Sequence, residues 1–229
     1  MPKPLIYRRD FNCLAFGLGL TGLCALTSAG AQASTHSEKP ILVLGDSLSA
    51  EYGLTRGTGW VNLMDKQAKQ SKWDLTIVNA SISGDTTAGG LSRLPALLTL
   101  HSPQLVILEL GGNDALRGLP LPQTQRNLLV MVKASQKAGA KTLILGIQVP
   151  PNYGADYADK MKVMFEQVAR QTGSGLLPFF LQGVADDADP LRWFQSDRIH
   201  PNEAAQALMM RNVWPKVQQL LPLAMKKPA

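Results

Sequence analysis

Residues 41–49 read ILVLGDSLS, a short apolar run that leads into a glycine, an acid and two serines. A run that is short and continuously apolar is typical of a β-strand buried on both faces of a sheet. Three further runs of this kind occur at 75–78, 105–110 and 143–147, with a weaker one at 176–177. The sequence therefore predicts five buried strands.

Helical patterns separate these apolar runs. Strands that alternate with helices favour a parallel sheet with helices on both faces, an α/β fold. A chain of 229 residues, 45% hydrophobic and 17% charged, can bury one sizeable core, so we expect a single globular domain. The predicted helices cover residues 60–69, 91–100, 124–138, 155–172 and 202–221.

Two prolines lie inside these helical patterns, at Pro95 and Pro215. Proline lacks the N–H that a helix interior requires, and its ring clashes with the preceding turn. We therefore expect both helices to break at their prolines.

Polar residues follow three of the predicted strands. The first strand ends in GDSLS at 45–49, the second in SISG at 81–84 and the third in GGND at 111–114. Open parallel sheets bind their ligands at the carboxyl ends of the strands. These three loops are therefore the candidate site.

Ser47 needs an adjacent base if it is to act as a nucleophile, because a serine hydroxyl is weakly nucleophilic near neutral pH. The chain has three histidines, and only His200 has a carboxylate at a spacing that a local turn can use, at Asp197. Pro201 disfavours helical geometry at His200, and Asn202 can cap the helix that follows. A pairing of this kind is also common on protein surfaces, so it does not by itself establish catalysis.

Ester hydrolysis also requires hydrogen-bond donors aimed at the oxyanion of the tetrahedral intermediate. The sequence offers the backbone N–H groups of Ser47 and Gly84 and the side-chain amide of Asn113. Taken singly, each residue has a simpler interpretation as a turn former or helix cap. Their joint occurrence is what favours catalysis.

Together these residues resemble the four sequence blocks of the SGNH hydrolases, also called the GDSL family. The blocks are GDSL at 45–48, SGD at 83–85, GGND at 111–114 and DRIH at 197–200, in the family's order. The similarity extends over residues 40–222 and is closest to the bacterial periplasmic branch of multifunctional thioesterases, lysophospholipases and arylesterases.

The resemblance implies a three-layer, flavodoxin-like fold with five parallel strands. It implies a catalytic triad of Ser47, Asp197 and His200, and an oxyanion hole formed by Ser47, Gly84 and Asn113. Asp46 and Asp114 are expected to support the loops that hold Ser47 and Asn113. The implied substrates are carboxylic esters and thioesters, including acyl or aryl esters and lysophospholipids.

Two loops lie where the resemblance places the acyl pocket, at 116–122 and 150–157. Leu116, Leu119 and Leu121 offer apolar surface there, without clusters of charge. We expect this surface to favour apolar acyl or aryl groups over acetylated sugars, with affinity that rises with chain length.

The N-terminus differs in character from the rest of the chain. Lys3, Arg8 and Arg9 precede an apolar run at 11–26, which is followed by the small residues of Ala31-Gln32-Ala33. This is the pattern of a cleaved signal peptide, so we expect export to the periplasm or beyond. The Arg8-Arg9 pair also resembles a twin-arginine signal. The predicted segments are a signal peptide at 1–33, a short N-terminal segment at 34–39, the hydrolase domain at 40–222 and a tail at 223–229.

Removing the predicted signal leaves 20 basic and 16 acidic residues, a net charge of +4. This mild excess, without basic runs, does not favour nucleic-acid binding, although brief contact with membrane lipids remains open. The two cysteines, Cys13 and Cys24, both lie in the signal. We therefore expect neither a disulfide nor a thiolate metal site in the mature protein, and no cofactor.

Three other functions deserve comparison. A nucleotide-binding module would need a glycine-rich phosphate loop after the first strand, and neither common form of that loop is present. A zinc hydrolase would need more histidine or cysteine ligands than the mature chain provides. A carbohydrate acetylesterase with the same triad remains compatible with the sequence, and the oligomeric state is not predicted.

Overall fold

A computed structural model describes residues 39–73 and 75–222. Within them, five parallel strands form one sheet in the order β2-β1-β3-β4-β5. The predicted α/β class and the five strands are confirmed. The strands are β1 (Ile41–Gly45), β2 (Ile77–Asn79), β3 (Leu105–Glu109), β4 (Lys141–Leu145) and β5 (Gly175–Leu177).

Six α-helices occur in the described part of the chain. Helices α2, α4 and α5 pack side by side as one layer, and α1 packs against α6 as the other. Both layers cover apolar strands, which are completely buried in β1 and β3. The helices are α1 (Trp60–Gln70), α2 (Thr87–His101), α3 (Gly112–Leu116), α4 (Leu121–Lys137), α5 (Ala155–Thr172) and α6 (Glu203–Leu220).

The predicted breaks at the two prolines are wrong, because α2 runs through Pro95 and α6 runs through Pro215. Both prolines are exposed, so water can satisfy the carbonyl oxygens that lose their intrahelical partners. The opposite faces of both helices are anchored in the core. Buried residues lie on either side of each proline, namely Leu94 and Leu98 in α2 and Val213 and Val217 in α6.

The sequence did not predict α3, a short helix that follows directly on β3. It begins after Gly111, whose φ of 119° is accessible to glycine and strained for other residues. Asn113 and Asp114 lie on this helix, so a turn that only glycine tolerates places both side chains at the end of β3.

The predicted signal at 1–33 and the tail at 223–229 lie outside the described residues. Among the helices of the described part, none is both long and apolar enough to span a membrane.

Candidate active site

The site lies at the carboxyl edge of the sheet, where β1, β2 and β3 are neighbours. Gly45 at the end of β1 pairs in register with Glu109 at the end of β3, and β2 flanks β1 on its other side. The loops that follow these strands carry Ser47, Gly84 and Asn113. The topology therefore brings the three predicted loops to one edge, as the sequence implies.

Ser47, His200 and Asp197 form a continuous chain of hydrogen bonds. The Nε2 atom of His200 lies 2.9 Å from the Ser47 hydroxyl, and its Nδ1 atom lies 2.6 Å from Asp197 Oδ2. With the proton on Nδ1, the imidazole donates to Asp197 and accepts from the serine. This is the tautomer that a general base for Ser47 requires.

A closed local loop fixes the position of the histidine. Phe194 and Pro201 form an isolated β-bridge that closes the two ends of this loop, and the Gln195 N–H donates to the His200 carbonyl at 2.8 Å. Arg198 turns the chain in the left-handed region, with φ of 59°. The Asn202 side chain accepts from the Ala205 N–H and caps α6, as predicted. The base therefore sits between a tight turn and a capped helix.

Asp197 accepts two further hydrogen bonds besides the one from the imidazole. Its Oδ1 atom receives the backbone N–H groups of Ile199 and His200, both at 3.0 Å. Desolvation alone would raise the pKa of Asp197, but the hydrogen bonds from the backbone and ring of His200 and from Ile199 lower it to about 2. Asp197 is therefore ionised across the physiological range and can stabilise an imidazolium.

Tyr52 was not anticipated from the sequence as part of the site. Its ring centroid lies 4.3 Å from that of His200, and its carbonyl accepts from the Gln195 side chain at 2.8 Å. The tyrosine thus covers one face of the imidazole. An aromatic residue five positions after the serine carries no sequence signal for this role.

The three predicted oxyanion donors lie in the segments that follow β1, β2 and β3 at the carboxyl edge of the sheet. Asn113 uses one amide hydrogen to bond Asp46 Oδ2 at 2.8 Å, which leaves its second hydrogen for a ligand. Among the described residues, the backbone N–H groups of Ser47 and Gly84 have no acceptor. Gly84 has φ of 79°, and Arg117 donates to its carbonyl at 2.7 Å. Each of the three groups therefore keeps a hydrogen that a ligand could accept.

Asp46 and Asp114 have the supporting contacts that the sequence interpretation assigned to them. Asp46 accepts from the Leu48 N–H as well as from Asn113. The buried Asp114 accepts from the backbone and hydroxyl of Thr87 and from the Thr124 hydroxyl, which joins α3 to α2 and α4. Both acids therefore fix loops of the site, and among the described residues neither side chain forms a hydrogen bond with Ser47, Asp197 or His200.

Glu109 is a functional candidate that the sequence interpretation missed. It is completely buried at the end of β3, where its Oε2 accepts from the Ser49 hydroxyl at 2.8 Å and the Asp46 N–H at 3.2 Å. The available signal was a single acid inside an otherwise apolar strand, which is rare unless the acid has a partner. Burial, and then the Asp46 carboxylate, raise the pKa of Glu109 well above its usual range.

A parallel α/β sheet with a hydrogen-bonded Ser-His-Asp chain at its carboxyl edge is typical of serine hydrolases. The model of the GDSL-like Lipase/Acylhydrolase family matches residues 43–208. The chain belongs to this family, and it is an ester hydrolase.

Named relatives agree with this assignment. Esterase TesA of Pseudomonas aeruginosa is 47% identical over 202 residues, which cover 88% of this chain and 98% of that protein. Thioesterase 1/protease 1/lysophospholipase L1 of Escherichia coli is 40% identical, over 85% of this chain and 88% of its own.

A solved structure is similar as well. The psychrotrophic esterase EstA from Pseudoalteromonas, inhibited by monoethylphosphonate, has a TM-score of 0.75. It is 40% identical and covers 81% of this chain and all of its own.

Proposed function

We propose that Ser47 is the nucleophile of this ester hydrolase, with His200 as general base and Asp197 as the residue that orients it. The observation that carries the proposal is the unbroken chain from Ser47 Oγ through both ring nitrogens of His200 to Asp197, at 2.9 and 2.6 Å. Serine hydroxyls become effective nucleophiles when a base is held at this distance and in this tautomer.

The reaction proceeds in two halves. Ser47 Oγ attacks the carbonyl carbon while its proton moves to His200 Nε2, and the oxyanion receives hydrogen bonds from Ser47 N, Gly84 N and Asn113 Nδ2. The intermediate collapses to an acyl-enzyme, and the imidazolium protonates the departing alcohol or thiol. Water then repeats the sequence on the acyl-enzyme and releases the carboxylic acid.

The surroundings of the site support substrates with apolar groups. One half-exposed apolar side chain lies close in sequence to each site block, and together we call these four residues the apolar rim. Its members are Tyr52 (49% exposed), Ile82 (50%), Leu116 (50%) and Ile199 (51%).

The apolar rim supports acyl and aryl esters, lysophospholipids and acyl thioesters as substrates, because each buried methylene contributes about 0.8 kcal/mol. A surface groove of about 390 Å³ begins at Leu121 and Pro122 of the first predicted acyl loop and is lined by both apolar side chains (Val163, Met164) and charged ones (Asp156, Asp159, Lys160). Brief contact of the rim with membrane lipids is part of the same proposal. Arg56, Arg117 and Arg198 are exposed near rim residues in sequence and supply positive charge for anionic headgroups.

The deciding experiment is a panel of acyl esters and thioesters of graded chain length, run beside acetylated xylan. We expect kcat/KM to rise with chain length, no turnover by Ser47→Ala, and labelling of Ser47 by a phosphonate. Faster turnover of acetylated xylan than of any acyl ester would assign a carbohydrate acetylesterase. Undiminished turnover by Ser47→Ala would overturn the nucleophile.

The apolar rim has a matched control in Val130, which is 50% exposed on α4 and lies outside the site. We expect Leu116→Asp to abolish the rise of kcat/KM with chain length and to weaken binding to phosphatidylglycerol vesicles, and Val130→Asp to change neither. Equal effects of the two substitutions would contradict a role for the rim.

We also propose that residues 1–33 are removed on export to the periplasm or beyond, from the charged start, the apolar run and the Ala-x-Ala site. N-terminal sequencing of the protein from its native host should give a chain that starts at Ser34. A chain that starts at Met1 would contradict cleavage.

A further inference from the structure

A buried acid lies beneath the nucleophile loop, and the mechanism above does not use it. Glu109 Oε2 receives the Ser49 hydroxyl at 2.8 Å and the Asp46 N–H at 3.2 Å, and Ser49 itself receives the Trp60 indole N–H at 3.2 Å. Glu109 thus bonds two of the four other residues of the GDSLS segment that carries Ser47. No group of the triad contacts it.

A second hydrogen bond links Asp46 to Asn113, a proposed donor of the oxyanion hole. Asp46, whose backbone Glu109 holds, uses its side chain to accept from Asn113 at 2.8 Å and from the Leu48 N–H at 3.1 Å. Because one hydrogen of the Asn113 amide is fixed on Asp46, the direction of the other hydrogen is fixed too. The orientation of this donor therefore depends on where Asp46 lies.

We propose that Glu109 is a positioning residue for the oxyanion hole, acting through Asp46 on the Asn113 amide and through Ser49 on the loop that carries Ser47. The proposal rests on the assignment of Asn113 as an oxyanion donor. It adds a residue that never touches the substrate.

The local geometry indicates that Glu109 acts as a neutral acid. Its Oε1 atom is buried and has no hydrogen-bond partner among the described residues, which would be costly for an ionised carboxylate. The carboxyl groups of Glu109 and Asp46 also share a side-chain hydrogen bond, which raises the pKa of Glu109 and opposes the rise at Asp46, so Glu109 is the donor. Two adjacent buried carboxyl groups rarely ionise together. Burial raises the pKa of Asp46 to about 6, against the opposing bonds from Leu48 and Asn113, so at neutral pH Asp46 carries the charge.

Gly45 gives independent support for the arrangement. A Cβ atom at this position would lie 2.8 Å from Glu109 Oε2 and 2.8 Å from the Ser49 hydroxyl. The glycine of the GDSL segment therefore leaves the space that the Glu109 carboxyl occupies. Its φ is not in the left-handed region, so this close approach is what requires glycine here.

The test compares Glu109→Leu with Glu109→Gln, which keeps the shape and a neutral donor. We expect Glu109→Leu to lower kcat about 10²-fold with KM changed less than threefold, since one oxyanion donor contributes 10² to 10³. Glu109→Gln should restore most of this rate. The control is Thr142→Val on the neighbouring strand β4, which is equally buried and should leave both constants unchanged. A loss in Glu109→Gln as large as in Glu109→Leu would overturn the proposal.

A double-mutant cycle tests whether Glu109 acts through Asn113. In an Asn113→Ala background, Glu109→Leu should cost at least tenfold less in kcat than it does in the native protein, because one of the two groups it positions is gone and only the contact through Ser49 remains. Fully additive losses would overturn the proposal. If Asn113→Ala alone had no effect, the oxyanion assignment itself would fail, and the two failures are thus distinguishable.

An infrared measurement keeps the proposal testable if Glu109→Leu does not fold. The difference spectrum between the native protein and Glu109→Gln at pH 8 should show a protonated carboxyl C=O stretch in the native protein. Its absence would show that Glu109 is ionised and would overturn the neutral-acid arrangement.

Discussion

The two halves of the site are built in opposite ways. Asp46 and Glu109, under the nucleophile and oxyanion loops, are 2% and 0% exposed, whereas the side chain of Asp197 beside the base is 35% exposed. In the proposed mechanism the base changes charge four times in each turnover, because it gains and loses a proton in both half-reactions, and nearby water lowers the cost of each change. The donors change no charge but must keep their direction, which a packed interior ensures. The buried half of the site thus fixes the direction of the hydrogen-bond donors, and the more exposed half carries the change of charge on the base.

The largest effect is expected on the exposed side of the site, where a substitution of the base should remove activity but leave stability nearly unchanged. His200→Ala should lower kcat on the order of 10⁴-fold or more, since the general base is lost. The free energy of unfolding should change by less than about 1 kcal/mol, because the residue lies on a surface loop. Kinetics and urea unfolding check both parts. His101→Ala, at the end of α2, is the matched control and should leave kcat unchanged; a comparable loss there would contradict the choice of base.

On the buried side, Asn113→Ala should lower kcat by about 10² to 10³, which is about 3 to 4 kcal/mol of transition-state stabilisation. KM should change little, because the amide bonds the oxyanion and not the ground-state ester. Steady-state kinetics on one aryl ester decide this. A raised KM at constant kcat would make Asn113 a substrate-binding residue instead.

The packed side should also be intolerant of added volume. Gly45→Ala should lower the free energy of unfolding by about 1 to 3 kcal/mol, because its Cβ meets Glu109 and Ser49. Gly112→Ala is the matched substitution, since its Cβ would meet nothing closer than 3.7 Å. Chemical unfolding of both variants measures the difference. Equal stabilities would show that the region beneath Ser47 is not tightly packed.

The smallest effect concerns pH. The pKa of Asp197 is lowered from 3.8 to about 2, so its contribution to stability is complete above about pH 4 and is lost as pH falls toward 2. Exposure to solvent limits this contribution to under about 1 kcal/mol. The pKa of Asp46 is raised to about 6, so its contribution has the opposite sign and is lost as pH rises from about 4 to 6. The free energy of unfolding should be measured against pH for the native protein, Asp197→Asn and Asp46→Asn. Each substitution should remove one of the two pH dependences and leave the other. If both acids changed stability with pH in the same direction, the contrast between the exposed and the buried acid would be wrong.

Much of this architecture was predictable from the sequence, because it depends on local periodicity. Helix α5 spans 155–172, the same residues that its pattern predicted, and all five strands coincide with the apolar runs to within a few residues. The structure also joins Ser47, His200 and Asp197 by hydrogen bonds and places Asn113 beside Asp46, although the catalytic roles of these residues stay predictions.

The errors arise where a three-dimensional fact overrides a local rule. Pro95 and Pro215 break no helix because each faces solvent, which depends on how the helix packs and not on the proline. Glu109 was missed because its partners, Asp46 and Ser49, are 63 and 60 residues away in sequence. Pairing across β1 and β3 creates this contact, and no local pattern encodes it.

The distance along the chain between nucleophile and base has a consequence for synthesis. Ser47 and His200 are 153 residues apart, and the last strand ends at Leu177. At a translation rate of about 5 to 20 residues per second, the serine emerges roughly ten seconds or more before its base. Strands β2 to β5 are all synthesised in that interval, and β1 precedes it. If Ser47 and His200 act as proposed, a nascent chain, or any product that ends before Asp197, has the serine but not its base and should not hydrolyse the esters of the cell that makes it.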